Sequence, residues 1–249
     1  MVQQVDINAD VGESYGKFKI GNDEALIPQL TSCNVACGFH GGDPLTIEHT
    51  IKLALKHQVA IGAHPSYPDL LGFGRRKMNL SKDELIASLK YQVAAVKGMT
   101  ESLGGSLHHV KPHGALNNEM AKDPELRQII MDTVHEISPK LITYIPYQPH
   151  SHLGKLVHWE VFADRSYEND LSLTSRAKDN SVLSRGAIEE RIKTLLTDEV
   201  IISSDGTKLK VTFDTICIHG DHPDAPETAK IIHEMAAEKE IMLKAKHAG

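Results

Sequence analysis

Val5-Asp6-Ile7-Asn8-Ala9 is a short, strand-like run that ends in two carboxylates, Asp10 and Glu13. The pattern returns along the chain. Asn34-Val35-Ala36-Cys37-Gly38 ends in His40 and Asp43, and Val59-Ala60-Ile61-Gly62 in His64. Leu107-His108-His109-Val110 ends in Lys111 and His113, and Trp159-Glu160-Val161-Phe162 in Asp164 and Arg165. Thr215-Ile216-Cys217-Ile218 ends in His219, Asp221 and His222. In a parallel α/β fold the C-terminal ends of all strands gather on one face, where such folds build active sites. Carboxylate, imidazole and cation placed there repeatedly read as an enzyme.

The segments between these runs read as helices. Asp43 is a helix N-cap with Pro44 at the first helical position, opening a helix that ends near residue 57. Ser81 to Glu84 is a capping box that opens a long helix to about 103, closed by Gly104-Gly105. Helices are expected at 23–30, 114–121, 123–137, 186–197 and 224–241. Strands are expected at 5–10, 33–38, 58–63, 107–111, 140–145, 159–163 and 214–218, with a short segment at 150–157 before the sixth. Val200 to Ser203 and Leu209 to Val211 flank Asp205-Gly206, a tight-hairpin signal. No composition break separates the β/α units, so residues 1–249 read as one domain: a barrel-like or incomplete barrel of parallel strands. An open doubly wound sheet is the second architecture.

A net charge of −6 gives no basic footprint for nucleic acid, and no apolar run reaches the length of a membrane span. The first residues lack a basic region and an apolar core, so no secretory signal is expected. Three cysteines without a framework suit a reducing cytoplasm. Cys33 and Cys37 are expected as buried small hydrophobes.

Asp10, with Glu13 beside it, could be a general base or bind a metal. His40 lies in a glycine-rich loop before a helix N-terminus, suited to an anion. With Asp10, His64 and His113 form a two-His-one-carboxylate set that can hold a divalent metal or run metal-free acid/base chemistry. Lys111 could supply a cation for an oxyanion or a substrate carboxylate. Arg75 or Arg76, in the long loop 64–80, could clamp a carboxylate or phosphate from a mobile lid. Asp164 and Arg165 could form an ion pair at the strand end. His219 and Asp221 are the candidates after the last strand. No phosphate-binding loop, kinase signature or dinucleotide fingerprint is present.

Together, Asp6 to Glu13, Asn34 to Pro44, Gly62 to Pro65 with Gly72 to Arg76, Val110 to Leu116, Val161 to Arg165 and Ile218 to Asp221 make the chain resemble the LamB/YcsF family, that of the A subunits of 5-oxoprolinase. The resemblance implies a (β/α)₇ barrel of the glycoside hydrolase/deacetylase type. It implies ATP-dependent opening of 5-oxoproline to glutamate, in company with subunits B and C. Gly41 stands where relatives often carry alanine, and Asn117-Asn118 where an aromatic commonly precedes the asparagine. Two other readings remain: a metal-dependent deacetylase of N-acetylated sugars, and a non-catalytic subunit that delivers substrate.

Overall fold

Every second side chain of the first strand is polar, yet the strand is buried from Val5 to Val11. Asp6, Asn8 and Asp10 alternate with Val5, Ile7, Ala9 and Val11, and the apolar set is at most 1% exposed. In a strand successive side chains take opposite faces, so this strand has a polar buried face and an apolar buried face. A closed barrel supplies both: a lumen inside and a layer of helices outside.

The computed structural model describes residues 2–149, 153–154, 156–222 and 224–246. Of the expected segment 150–157, residues 150–152 and 155 lie outside the described residues. The strands are β1 (Gln4–Val11), β2 (Ser32–Ala36), β3 (Ala60–His64), β4 (Leu107–Val110), β5 (Ile142–Pro146) and β6 (Val157–Phe162). There follow the hairpin β7 (Val200–Ile202) and β8 (Lys208–Lys210), then β9 (Thr215–Ile218) and β10 (Met242–Leu243). Strands β1 to β6 pair in sequence order, all parallel, and β9 pairs with both β6 and β1. The ring is therefore a closed seven-stranded parallel barrel, and the open doubly wound alternative is wrong.

The helices are α1 (Asp23–Leu26), α2 (Pro44–Lys56), α3 (Lys82–Ser102), α4 (Gly114–Lys122), α5 (Pro124–Ile137), α6 (Arg185–Asp198) and α7 (Ala225–Glu238). They cover the outer face. Ile47, Ile51 and Ala54 of α2 and Leu85, Leu89, Val93 and Val96 of α3 form buried stripes at helical spacing. Each fully buried aliphatic side chain contributes roughly 1.5–3 kcal/mol. Asp43 caps α2 through the backbone N–H groups of Leu45 and Thr46, and the Ser81–Glu84 capping box is present. Among the described residues no helix is long and apolar enough to cross a membrane.

Several strand boundaries shift by one or two residues, the first helix is α-helical only over Asp23–Leu26, and the last helix departs at its end. The last helix stops at Glu238, not at 241, and Met242 and Leu243 add a short strand beside β1, outside the ring. Glu240 takes a left-handed φ of 56° that turns the chain. The stripe of Ala229, Ile232, Met235 and Ala236 meets the charged Lys239 and Glu240 at its next positions, so the helical apolar pattern ends before Ile241.

Candidate active site

The lumen is filled by polar side chains, and their partners divide it into two ends. Asp6, at the N-terminal end, accepts from the hydroxyls of Thr31, Ser32 (2.7 Å), Tyr144 (2.9 Å) and Thr215 (2.7 Å). Above it, Asn8 donates to Glu160 at 3.0 Å and to Thr215 at 2.7 Å. His109 reaches across to Asn34 Oδ1 at 2.7 Å. Gly62 makes that reach possible, because a Cβ there would lie 2.1 Å from the His109 ring.

Toward the C-terminal rim the partners become ionic. Lys111 Nζ donates to Asp10 Oδ1 at 2.9 Å, lies 3.0 Å from Glu160 Oε1 and donates to Cys217 Sγ at 2.9 Å. Asn34 Nδ2 also donates to Asp10 Oδ1, at 2.9 Å. Asp10 Oδ2 lies 3.2 Å from His64 Nε2. Burial alone would raise the Asp10 carboxyl, but His64 and Lys111 opposite it outweigh burial and hold it well below the ordinary carboxylate range. Burial works against the Lys111 ammonium too, but Asp10 and its other partners hold its pKa well above the usual lysine value.

Three imidazoles lie beside Asp10. His64 Nε2 is 2.9 Å from His113 Nδ1, and His113 stacks on His40 with centroids 3.8 Å apart. His40 Nε2 is 3.1 Å from Glu13 Oε1. Burial holds both His40 and His113 well below the usual imidazole pKa, so both rings favour the neutral form. Burial, with the Asp10 charge nearby, raises Glu13 well above the usual carboxyl range. Glu13, His40, His64 and His113 each offer one ligand atom, all within 4.8 Å of one another, so this group could hold a divalent metal.

Loops after the strands roof the group. Phe73 takes a left-handed φ of 53°, and its carbonyl accepts from His113 Nε2 at 2.9 Å. Gly74 follows with φ 63°, and a Cβ there would lie 2.8 Å from His113 Cδ2. Both arginines of this loop were candidate clamps, and the structure separates them. Arg76 pairs with Asp69 within the loop, whereas Arg75 reaches across the rim to Asp221 at 2.7 Å. Asp164 accepts from the backbone and ring of His219, both at 2.9 Å. Burial raises its carboxyl, but His219 prevails and brings it down to about 2. The expected Asp164–Arg165 ion pair is absent among the described residues. Instead, Arg165 donates to the carbonyls of Ser181 (2.9 Å) and Thr174 (2.7 Å), tying down the irregular stretch after β6.

A cavity of about 700 Å³ opens over this end of the barrel. Asp10, His64, Arg75, Lys111, His113, Arg165 and His219 line it, together with Arg176 and Tyr147, which no sequence pattern singles out. His40 and Glu13 lie behind this lining, and Asp164 and Asp221 support it through His219 and Arg75. Glu160, Asn8 and Asn34 also belong to the network and were not expected there. A glutamate inside an otherwise apolar strand run was the signal for Glu160. Cys33, Cys37 and Cys217 are free and buried.

Several known proteins are similar to this chain in sequence or fold. The LamB/YcsF family model matches residues 5–248. The A subunit of a 5-oxoprolinase from Bacillus cereus (strain B4264) is 42% identical over 241 residues, covering 93% of this chain and 94% of the relative. Its counterpart from Natranaerobius thermophilus is 42% identical over 247 residues, covering 96% of each. The crystal structure of a lactam utilization protein from Thermus thermophilus superposes with a TM-score of 0.88 at 37% identity, covering 98% of this chain and 100% of that one. The chain belongs to the LamB/YcsF family.

Proposed function

We propose that this chain is the A subunit of a 5-oxoprolinase, hydrolysing the cyclic amide 5-oxoproline to glutamate at the expense of ATP, with subunits B and C as partners. The observation that carries this reading is the Asp10–Lys111 pair beside His64 and His113, opening into one cavity. The names of the relatives point to the same lactam chemistry.

A five-membered lactam is resonance-stabilised and recloses readily, so its opening needs an energy source. In this reading the amide oxygen takes the γ-phosphoryl group of ATP and ADP leaves. Water then adds to the activated carbon and the ring C–N bond breaks, leaving a γ-glutamyl phosphate, and a second water hydrolyses that acyl phosphate to glutamate and phosphate. The chain carries no phosphate-binding loop, so the partners share the handling of ATP. Asp10, with His64 or His113, takes the proton of the attacking water. His219, fixed by Asp164, or Asp221 gives a proton to the leaving nitrogen. Lys111 and Arg75, with Arg165 at the cavity wall, face the substrate carboxylate or the phosphate. Glu13 and His40 act on it from behind the lining.

In this reading residues 1–249 are a single cytoplasmic catalytic domain. The test is glutamate release from 5-oxoproline, with and without ATP, by this chain alone and with its partners. Absence of glutamate in the complete mixture overturns the reading. The imidazole–carboxylate group also suits the second reading, a metal-dependent amide hydrolase of N-acetylated sugars, for which acetate release is the assay. Turnover that survives replacement of the rim residues would leave only a delivering subunit.

A further inference from the structure

His64 and His113 are each held by one ring nitrogen. His64 Nδ1 lies 2.6 Å from the Lys111 carbonyl, and His113 Nε2 lies 2.9 Å from the Phe73 carbonyl. A carbonyl oxygen only accepts, so both of these nitrogens carry a proton. The other two nitrogens, His64 Nε2 and His113 Nδ1, are not engaged by backbone and face each other at 2.9 Å. Each also faces a carboxylate oxygen, Asp10 Oδ2 at 3.2 Å from the first and Glu13 Oε1 at 3.6 Å from the second. A single cation seated among these atoms would lie within reach of both nitrogens and of Glu13 Oε1. An outer ring N–H fixed to a backbone carbonyl is the device that orients metal-ligating histidines. Two imidazoles and a carboxylate suit a first-row divalent ion.

His40 plays a different part, although it lies within the same 4.8 Å. Its ring is parallel to His113, with 2° between the planes and 3.8 Å between centroids. Two parallel rings cannot both direct an in-plane lone pair at one ion between them. His64 stands at 86° to His113, so that pair can. The 3.1 Å contact of His40 Nε2 with Glu13 Oε1 instead orients the carboxylate.

We propose that His64, His113 and Glu13 bind one first-row divalent cation, with His40 positioning Glu13 rather than ligating. The inference deepens the hydrolytic reading of this site and rests on it only for what the ion does there. A bound ion would acidify water or polarise a carbonyl.

The test uses the full chain, stripped with chelator and titrated near neutral pH with Co²⁺, followed by visible absorption, and with Zn²⁺, followed by calorimetry. One ion per chain is expected. His64→Asn, His113→Asn and Glu13→Gln should each abolish the cobalt spectrum. His40→Gln should keep the stoichiometry and weaken affinity by about 10–100-fold, as loss of an orienting partner does. His233→Gln, on the exposed face of α7, should change nothing. Circular dichroism confirms that each variant is folded, and the wild-type titration needs no variant. Failure of the wild type to take up a stoichiometric ion at millimolar cobalt overturns the proposal, a proton then being the cation between the rings. So does undiminished binding by the His64 and His113 variants. A loss in His40→Gln as complete as in His113→Asn overturns the assignment of ligands. Turnover of 5-oxoproline is measured separately. Ion uptake without turnover in the complete complex upholds the metal site and removes the substrate. Turnover without any ion uptake overturns the site and leaves the hydrolase standing.

Discussion

Asp6 and Asp10 share one face of one strand, about 13 Å apart, and both are buried. Asp6 is surrounded by neutral hydroxyls that all donate to it, and the barrel closes around it. Asp10 is surrounded by an ammonium, an amide and an imidazole, and it lines a cavity. Identical side chains thus do different work. The first holds four strands of the barrel in place, β1 to β2, β5 and β9. The second keeps its charge because cations face it, and it stays within reach of a small molecule.

The largest expected effect falls on the open end. Asp10→Asn should lower turnover of the assembled complex by about 10²–10⁴-fold while circular dichroism stays native. Wild-type turnover would remove Asp10 from the chemistry. At the closed end the expected effect is on stability. Asp6→Ala leaves its hydroxyls without their acceptor and should cost about 3 kcal/mol in urea unfolding, with turnover per folded molecule little changed. Loss of turnover at unchanged stability would put the chemistry at the other end of the barrel.

Asp164 sharpens the comparison through pH. Its folded pKa of about 2 lies below the unfolded carboxyl value. Its stabilisation is therefore present above about pH 4 and is lost as pH falls through the folded value. Asp164→Asn should cost about 2 kcal/mol at pH 7, a difference that narrows on acidification below about pH 4. A difference independent of pH would mean that the His219 contact is not ionic. The smallest effect belongs to the outer shell. Ser81→Ala removes the capping box of α3 and should lower stability by about 1 kcal/mol without touching turnover. A change in turnover would tie the helix ring to the rim.

Much of the architecture was legible because its signals are local. Pro44 after Asp43, Ser81 with Glu84, and Asp205-Gly206 each fix a helix start or a turn within a few residues. The strand-end positions of Asp10, His64 and His113 were legible too, since parallel strands bring their C-terminal ends together. The interior of the barrel was harder. A polar lumen gives β1 an alternating pattern that also suits a half-exposed strand. Nothing local shows that Glu160 meets Lys111, or that Asn34 meets Asp10. Arg75 and Arg76 are adjacent, and only the path of their loop sends one to Asp221 and the other to Asp69.

The order of strands and helices, and the residue types delivered to the rim, follow from the amino-acid order, because both depend on near neighbours along the chain. The closure of β9 on β1 and the pairing of each charge arise only in the folded barrel. Those depend on which side chains meet across the lumen, such as His64 with His113 at 2.9 Å and Glu13 with His113 at 3.6 Å. Such distances are set by the register of the closed ring, to which every strand contributes.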